Sequence, residues 1–122
     1  MADRDPSYEP GCLFCRIAAD ELPSDRVYEN EAVIVFRDIN PRAPTHLLAI
    51  PRRHLASVDD LTDADPDRDT LAALFAALRS VAADAGVRGY RIVTNVGPDA
   101  GQSVFHIHFH LLAGRTMLWP PG

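Results

Sequence analysis

His106, His108 and His110 are each separated by a single apolar residue in the run Val104-Phe105-His106-Ile107-His108-Phe109-His110-Leu111-Leu112. Extended backbone sends alternate side chains to opposite faces, so three imidazoles share one face while Phe105, Ile107, Phe109 and Leu111 share the other. Same-face neighbours on a strand stand about 6.5 to 7 Å apart, which lets adjacent rings converge on one metal ion or one phosphoryl group. Imidazole is the side chain best suited to act as nucleophile, acid, base or ligand near neutral pH. All five His of the chain fall at His46, His54 and this triplet, a clustering that an ordinary solvent-facing strand does not produce. Two chemistries use such a row. A three-His metal site with an open position would generate hydroxide for hydrolysis; alternatively, one ring attacks phosphorus while its neighbours orient it and stabilise charge. The spacing admits both.

A second group with ligand chemistry is Cys12 and Cys15, two residues apart, the spacing of half a zinc site. A disulfide is disfavoured in a reducing compartment, and no βαβ pattern follows that would suggest a thiol redox protein. The competing reading is two buried Cys acting as small hydrophobes.

Positioning these groups requires a scaffold, and the sequence predicts an α+β one. Gly11 to Ala19 reads as a short helix with Leu13, Phe14 and Ile17 inward, stopped before Pro23. Arg26 to Glu29 and Ala32 to Asp38 are rich in β-branched and aromatic residues and form a hairpin across Asn30-Glu31. Asn40-Pro41-Arg42-Ala43-Pro44 is a rigid loop, and Leu47 to Ile50 a strand closed by Pro51. The longest helix is expected from about Arg68 to Ala85, with Asp residues at its N-terminal end, Gly86 as its stop and an apolar stripe of Leu71, Leu74, Phe75, Leu78 and Val81. Tyr90 to Asn95 and Val104 to Leu112 complete about five mostly antiparallel strands with two helices. Residues 1–10 read as a flexible arm and residues 11–122 as one domain, since 122 residues leave room for one core.

Composition narrows the function. With 47% hydrophobic and 24% charged residues, the chain has the make-up of a globular domain rather than a disordered or collagen-like one. No apolar run approaches the roughly 20 residues of a membrane span, and the first residues lack a signal-peptide pattern, so a cytoplasmic protein is expected. There is no Lys, which excludes Schiff-base chemistry and a P-loop lysine. Six Asp and one Arg between Asp59 and Asp69 account for the whole net charge of -5. From Gly86 onward only Asp99 opposes Arg88, Arg91 and Arg115, so the last third suits an anionic ligand. No basic stripe points to a nucleic-acid partner.

The flanking motifs decide between the two chemistries. Pro44-Thr45-His46-Leu47-Leu48-Ala49-Ile50-Pro51-Arg52-Arg53-His54, Asn95-Val96-Gly97, Gly101-Gln102-Ser103, the triplet followed by two Leu, and Trp119-Pro120-Pro121-Gly122 together resemble the histidine triad (HIT) family, closest to its Hint-like branch of nucleotide-binding phosphoramidases. The resemblance implies hydrolysis or transfer on purine nucleoside phosphoramidates through a nucleotidyl-histidine intermediate. It assigns His108 as nucleophile, His110 as donor to a phosphate oxygen, His46 as a ring that helps fix the nucleophile, and Ser103 as partner of the leaving group. Asn95 and the backbone around Gln102 and Ser103 would hold phosphate, Asp38 the ribose hydroxyls, and Phe14, Ile17 and Ile39 the base. Some members complete the Cys pair with two His into a structural zinc; by position these are His54 and His106, leaving His108 and His110 for catalysis. The resemblance also implies a homodimer with one sheet running through both copies. Leu118 departs from members that carry His before the Trp, which leaves the leaving-group preference open. A dinucleoside polyphosphate hydrolase, a nucleotide-binding adaptor with incidental catalysis and a three-His metallohydrolase are the competing readings.

Overall fold

A computed structural model of the chain describes residues 4–122. Five strands form one antiparallel sheet in the order β1-β2-β3-β5-β4, with β1 Arg26–Glu29, β2 Val33–Arg37, β3 Thr45–Pro51, β4 Tyr90–Val93 and β5 Phe109–Ala113. Two helices, α1 Leu13–Ala18 and α2 Asp65–Ala85, cover opposite faces. That is why β2 and β3 read as continuous apolar runs: a strand buried on both faces has no polar side to show. Val33 and Val35 of β2, Leu47 and Ala49 of β3, and Phe109, Leu111 and Ala113 of β5 pack with Leu74, Ala77, Leu78 and Val81 of α2. The alternate residues Ile34, Phe36, Leu48 and Ile50 pack with Phe14, Ile17 and Ala18 of α1. The histidines lie on the α1 face, so α2 is the structural backing of the sheet and α1 is one wall of the site.

Helix α1 is only six residues long, too short to persist alone, and its ends are held from outside. Cys12 caps it, its Sγ accepting from the Cys15 N–H at 3.3 Å. At the other end the Arg26 guanidinium donates to the Ile17 carbonyl at 2.8 Å and Arg52 reaches the Ala18 carbonyl at 3.4 Å, satisfying carbonyls that have no partner within the helix.

Several expectations change. Leu13 is 46% exposed, so α1 turns Phe14 and Ile17 inward without it. Helix α2 starts at Asp65 rather than near Arg68, with Pro66 in its first turn, where a missing N–H costs nothing. Asp67 is buried there: it accepts from the Thr62 N–H and hydroxyl, both at 2.7 Å, and pairs with Arg53, which pulls its pKa down to about 2. Gly86 ends α2 at φ 66°, as its lack of a Cβ allows. Strand β4 ends at Val93, leaving Asn95 in the following loop. Strand β5 begins at Phe109, not Val104, because residues ahead of it bond to the chain after β3 instead of joining the ladder: the Ile107 N–H donates to the Leu55 carbonyl. Phe105 consequently leaves the apolar face and is 49% exposed.

Of the expected N-terminal arm, residues 1–3 lie outside the described residues. Residues 4–10 are hydrogen-bonded to the rest: the Ser7 hydroxyl accepts from the His54 N–H at 2.7 Å, and the Tyr8 hydroxyl donates to Glu21 at 2.6 Å.

Candidate functional site

The antiparallel register sets Leu48 opposite His110 and His46 opposite Leu112, which makes His46 and His110 diagonal neighbours on the α1 face. Their hydrogen bonds fix where each proton sits. The Arg42 backbone N–H donates to His46 Nδ1 at 2.9 Å; a peptide N–H can only donate, so Nδ1 of His46 holds a lone pair and Nε2 holds the proton. That Nε2–H lies 2.9 Å from His110 Nδ1 and 3.3 Å from Asp38 Oδ2, so Nδ1 of His110 accepts and its Nε2–H is the group left to donate. His108 Nδ1 lies 2.8 Å from the His106 carbonyl oxygen. A carbonyl only accepts, so Nδ1 of His108 carries the proton and Nε2 carries the lone pair.

Burial lowers the basicity of all three rings. It is the leading cause for His46, where the nearby Asp38 carboxylate partly offsets it, and for His108, where the hydrogen bond to the His106 carbonyl opposes it. His110 is pulled down to about 4, by burial first and then by His108 and His46. At neutral pH the cluster is therefore uncharged, and the lone pair on His108 is available for attack.

These rings open on a cleft of ≈ 800 Å³ lined by Leu13, Phe14, Ile17, Phe36, Asp38, Ile39, Arg42, His46, Leu48, Ser103, Val104, His108 and His110, among others. Its size and its mix of apolar walls with a few polar groups suit a small-molecule ligand. Phe14 serves two purposes: it packs edge-on against His108 with ring centroids 5.1 Å apart and it walls the cleft. Ile39, 92% exposed, stands at the rim. Asp38 accepts from the Asn40 N–H at 2.8 Å through Oδ1, which fixes the carboxylate facing the cleft.

Two expected phosphate contacts sit elsewhere. Asn95 does not line the cleft. Gln102 is buried and spent inside its own loop: its side chain accepts from the Gly97 N–H at 2.9 Å and donates to the Ala56 and Val104 carbonyls at 2.7 and 3.1 Å, while its backbone N–H donates to the Gly97 carbonyl. Gln102 thus shapes the loop that presents Ser103. Arg42 contributes both a cleft-lining side chain and the N–H that sets the His46 tautomer, and only its place in the proline loop hinted at a role.

The first His of the triplet is turned away from this cleft. His106 is fully buried, with Nε2 2.8 Å from the Pro51 carbonyl oxygen; Nε2 therefore donates and Nδ1 presents a lone pair. That lone pair lies 3.3 Å from Cys12 Sγ, 3.5 Å from Cys15 Sγ and 3.2 Å from His54 Nδ1, and Cys15 Sγ lies 3.3 Å from His54 Nδ1. Zinc bonds of about 2.05 Å to nitrogen and 2.3 Å to sulfur in a tetrahedron put ligand atoms about 3.3 Å (N to N) and 3.6 Å (N to S) apart. Cys12, Cys15, His54 and His106 match this spacing and fit a closed zinc site. Without a metal, burial drives the Cys15 thiol up to about 12; a bound cation reverses that by favouring the thiolate. Asp38, His46 and His110 also converge, but the Arg42 N–H on His46 Nδ1 leaves a proton on the nitrogen that would have to bind the ion, so this trio is a hydrogen-bond relay. The three triplet histidines do not share one ion.

What stands is an antiparallel α+β domain with a lone-pair imidazole over a nucleotide-sized cleft and a Cys2His2 cluster behind it. The family model described as HIT domain matches residues 19–117, and the chain belongs to that family. A HIT family hydrolase from Legionella pneumophila is similar, with 47% identity, TM-score 0.87 and coverage of 92% of this chain and 100% of that one. A histidine triad nucleotide-binding protein from Candida albicans has 30% identity and TM-score 0.76, over 90% of this chain and 83% of that one. A 14 kDa zinc-binding protein from Zea mays is 46% identical over 111 residues, 90% of this chain and 87% of that protein.

Proposed function

We propose that the protein hydrolyses or transfers nucleotidyl groups from purine nucleoside phosphoramidates through a covalent nucleotidyl-His108 intermediate. The observation that carries this reading is the hydrogen bond from His108 Nδ1 to the His106 carbonyl, which leaves Nε2 unprotonated at the cleft. Attack by Nε2 forms a bond to the α-phosphorus, the P–N bond breaks, and the nitrogen leaves as an amine with a proton taken from solvent water and relayed through the Ser103 hydroxyl. The positive charge gained by the His108 ring is stabilised by the same carbonyl. His110, polarised by His46, donates its Nε2–H to a phosphate oxygen. Water then cleaves the nucleotidyl-imidazole and restores the lone pair. Asp38 accepts from the ribose hydroxyls, and Phe14, Ile17 and Ile39 hold the base.

The names of the Legionella hydrolase and the Candida nucleotide-binding protein support this class, and that of the maize zinc-binding protein supports the metal. Cys12, Cys15, His54 and His106 would hold zinc in a structural role, cross-linking α1 to the sheet; the ion itself supplies only that cross-link. We take the working unit to be a homodimer in which the sheet continues from one copy to the next. Among the described residues no helix is long and apolar enough to cross a membrane. The test is kinetic: His108→Ala is expected to abolish turnover of an adenosine phosphoramidate while calorimetry still shows nucleotide binding. Undiminished turnover overturns the reading, and exclusive turnover of diadenosine polyphosphates reassigns the substrate.

A further inference from the structure

Two of the apolar side chains that periodicity sends to the core, Leu13 and Phe105, are instead 46% and 49% exposed. Both line a second cavity of ≈ 400 Å³, together with Glu9, Gly11, Cys12, His54, Ser103 and Val104. Leu13, Ser103 and Val104 also line the main cleft, so the two spaces meet at the hydroxyl proposed to serve the leaving group. Glu9 is the one carboxylate among the residues that line the annex, and no Arg lines it. Glu9 also takes part in none of the ion pairs formed among the described residues.

We propose that this annex is the leaving-group subsite and that it selects amines with an apolar stem ending in a positive charge. Leu13 and Phe105 cover the stem, and Glu9 meets the cation at the far end, with the Phe105 ring face offering a further cation contact. The exposure of two large apolar side chains at one cavity is then explained by the group they cover. This inference rests on the phosphoramidase reading and narrows it from any amine to one class.

The experiment compares adenosine 5′-phosphoramidates made with 1,5-diaminopentane, n-hexylamine and 6-aminohexanoate, which place an ammonium, a methyl or a carboxylate at the end of equal five-carbon stems. The wild-type chain is expected to favour the ammonium arm over the methyl arm in kcat/KM by about three- to fivefold, the range of a partly exposed ion pair, and to disfavour the carboxylate arm. Glu9→Gln should bring the ammonium-to-methyl ratio close to one, and Glu9→Lys should favour the carboxylate arm. Phe105→Ala should remove the advantage of the hexyl arm over an unsubstituted phosphoramidate. Turnover of all arms with a ratio that does not respond to Glu9, or a wild-type chain indifferent to the terminal group, overturns the subsite while leaving the phosphoramidase reading in place. No turnover of any arm overturns both.

Discussion

Replacing Cys12 by Ser isolates the contribution of the metal cluster. Serine keeps the cap of α1, because its hydroxyl can accept from the Cys15 N–H as the Cys12 sulfur does, but it supplies no thiolate. A zinc ion joining Cys12 to His106 links residues 94 apart in sequence. Closing a loop of that length in the unfolded chain corresponds, by polymer entropy, to about 5 kcal/mol. An unfolding entropy of about 2.1 cal/mol/K per residue, applied to the whole chain, converts this into a fall in melting temperature of about 20 °C. The assay is zinc per chain by elemental mass spectrometry beside calorimetric melting, with and without chelator. The purified wild-type protein should carry one zinc, Cys12→Ser should carry little, and chelator should lower the wild-type melting temperature toward that of the variant. A zinc-free wild-type protein, or a variant melting within a few degrees of it, refutes the reasoning.

Leu78 is fully buried between α2 and the sheet, on the side away from the cleft. Leu78→Ala should cost about 2 to 5 kcal/mol in urea unfolding with kcat unchanged below the melting range. Gly114 has φ 93°, and a Cβ there would stand 2.8 Å from Pro44 Cβ; Gly114→Ala should destabilise by about 1 to 3 kcal/mol and lower kcat, since the displaced loop carries the Arg42 N–H that orients His46. Burial holds the folded pKa of His110 at about 4, below the ordinary imidazole value near 6.5. Its neutral form is therefore favoured by folding: the associated stability is present above pH 6.5 and lost as pH falls toward 4, and the acid limb of kcat/KM should lie below pH 6.5. An acid limb centred above 6.5 would contradict the tautomer assignments.

The sequence revealed those features set by local pattern. The Val33 to Phe36 run, the period of Leu74, Leu78 and Val81, the glycine stop at Gly86 and the Cys12/Cys15 spacing each follow from chemistry within a few residues. What escaped depends on long-range partners. Strand β5 starts late because Ile107 bonds to Leu55, and Asp67 is inward because Arg53, fourteen residues earlier, meets it. The turning of His106 toward Cys12, Cys15 and His54, with His108 left at the cleft, rests on which carbonyl each ring nitrogen reaches, which alternation alone does not encode. The backbone around Gln102 was expected to hold phosphate through the resemblance, yet the Gln102 N–H donates to the Gly97 carbonyl and its side chain bonds within its own loop and to Ala56. Leu13 and Phe105 broke the periodic expectation at the second cavity, which shares Leu13, Ser103 and Val104 with the cleft.

In the proposed mechanism His108 Nε2 becomes bonded to phosphorus during turnover. Acid or rapid denaturing quench during reaction with an adenosine phosphoramidate, followed by intact-mass and peptide mass spectrometry, tests this directly. One adenylyl group is expected on the peptide containing His108, absent in His108→Ala. Turnover without any adduct under single-turnover quench, or an adduct on another residue that persists in His108→Ala, would contradict it.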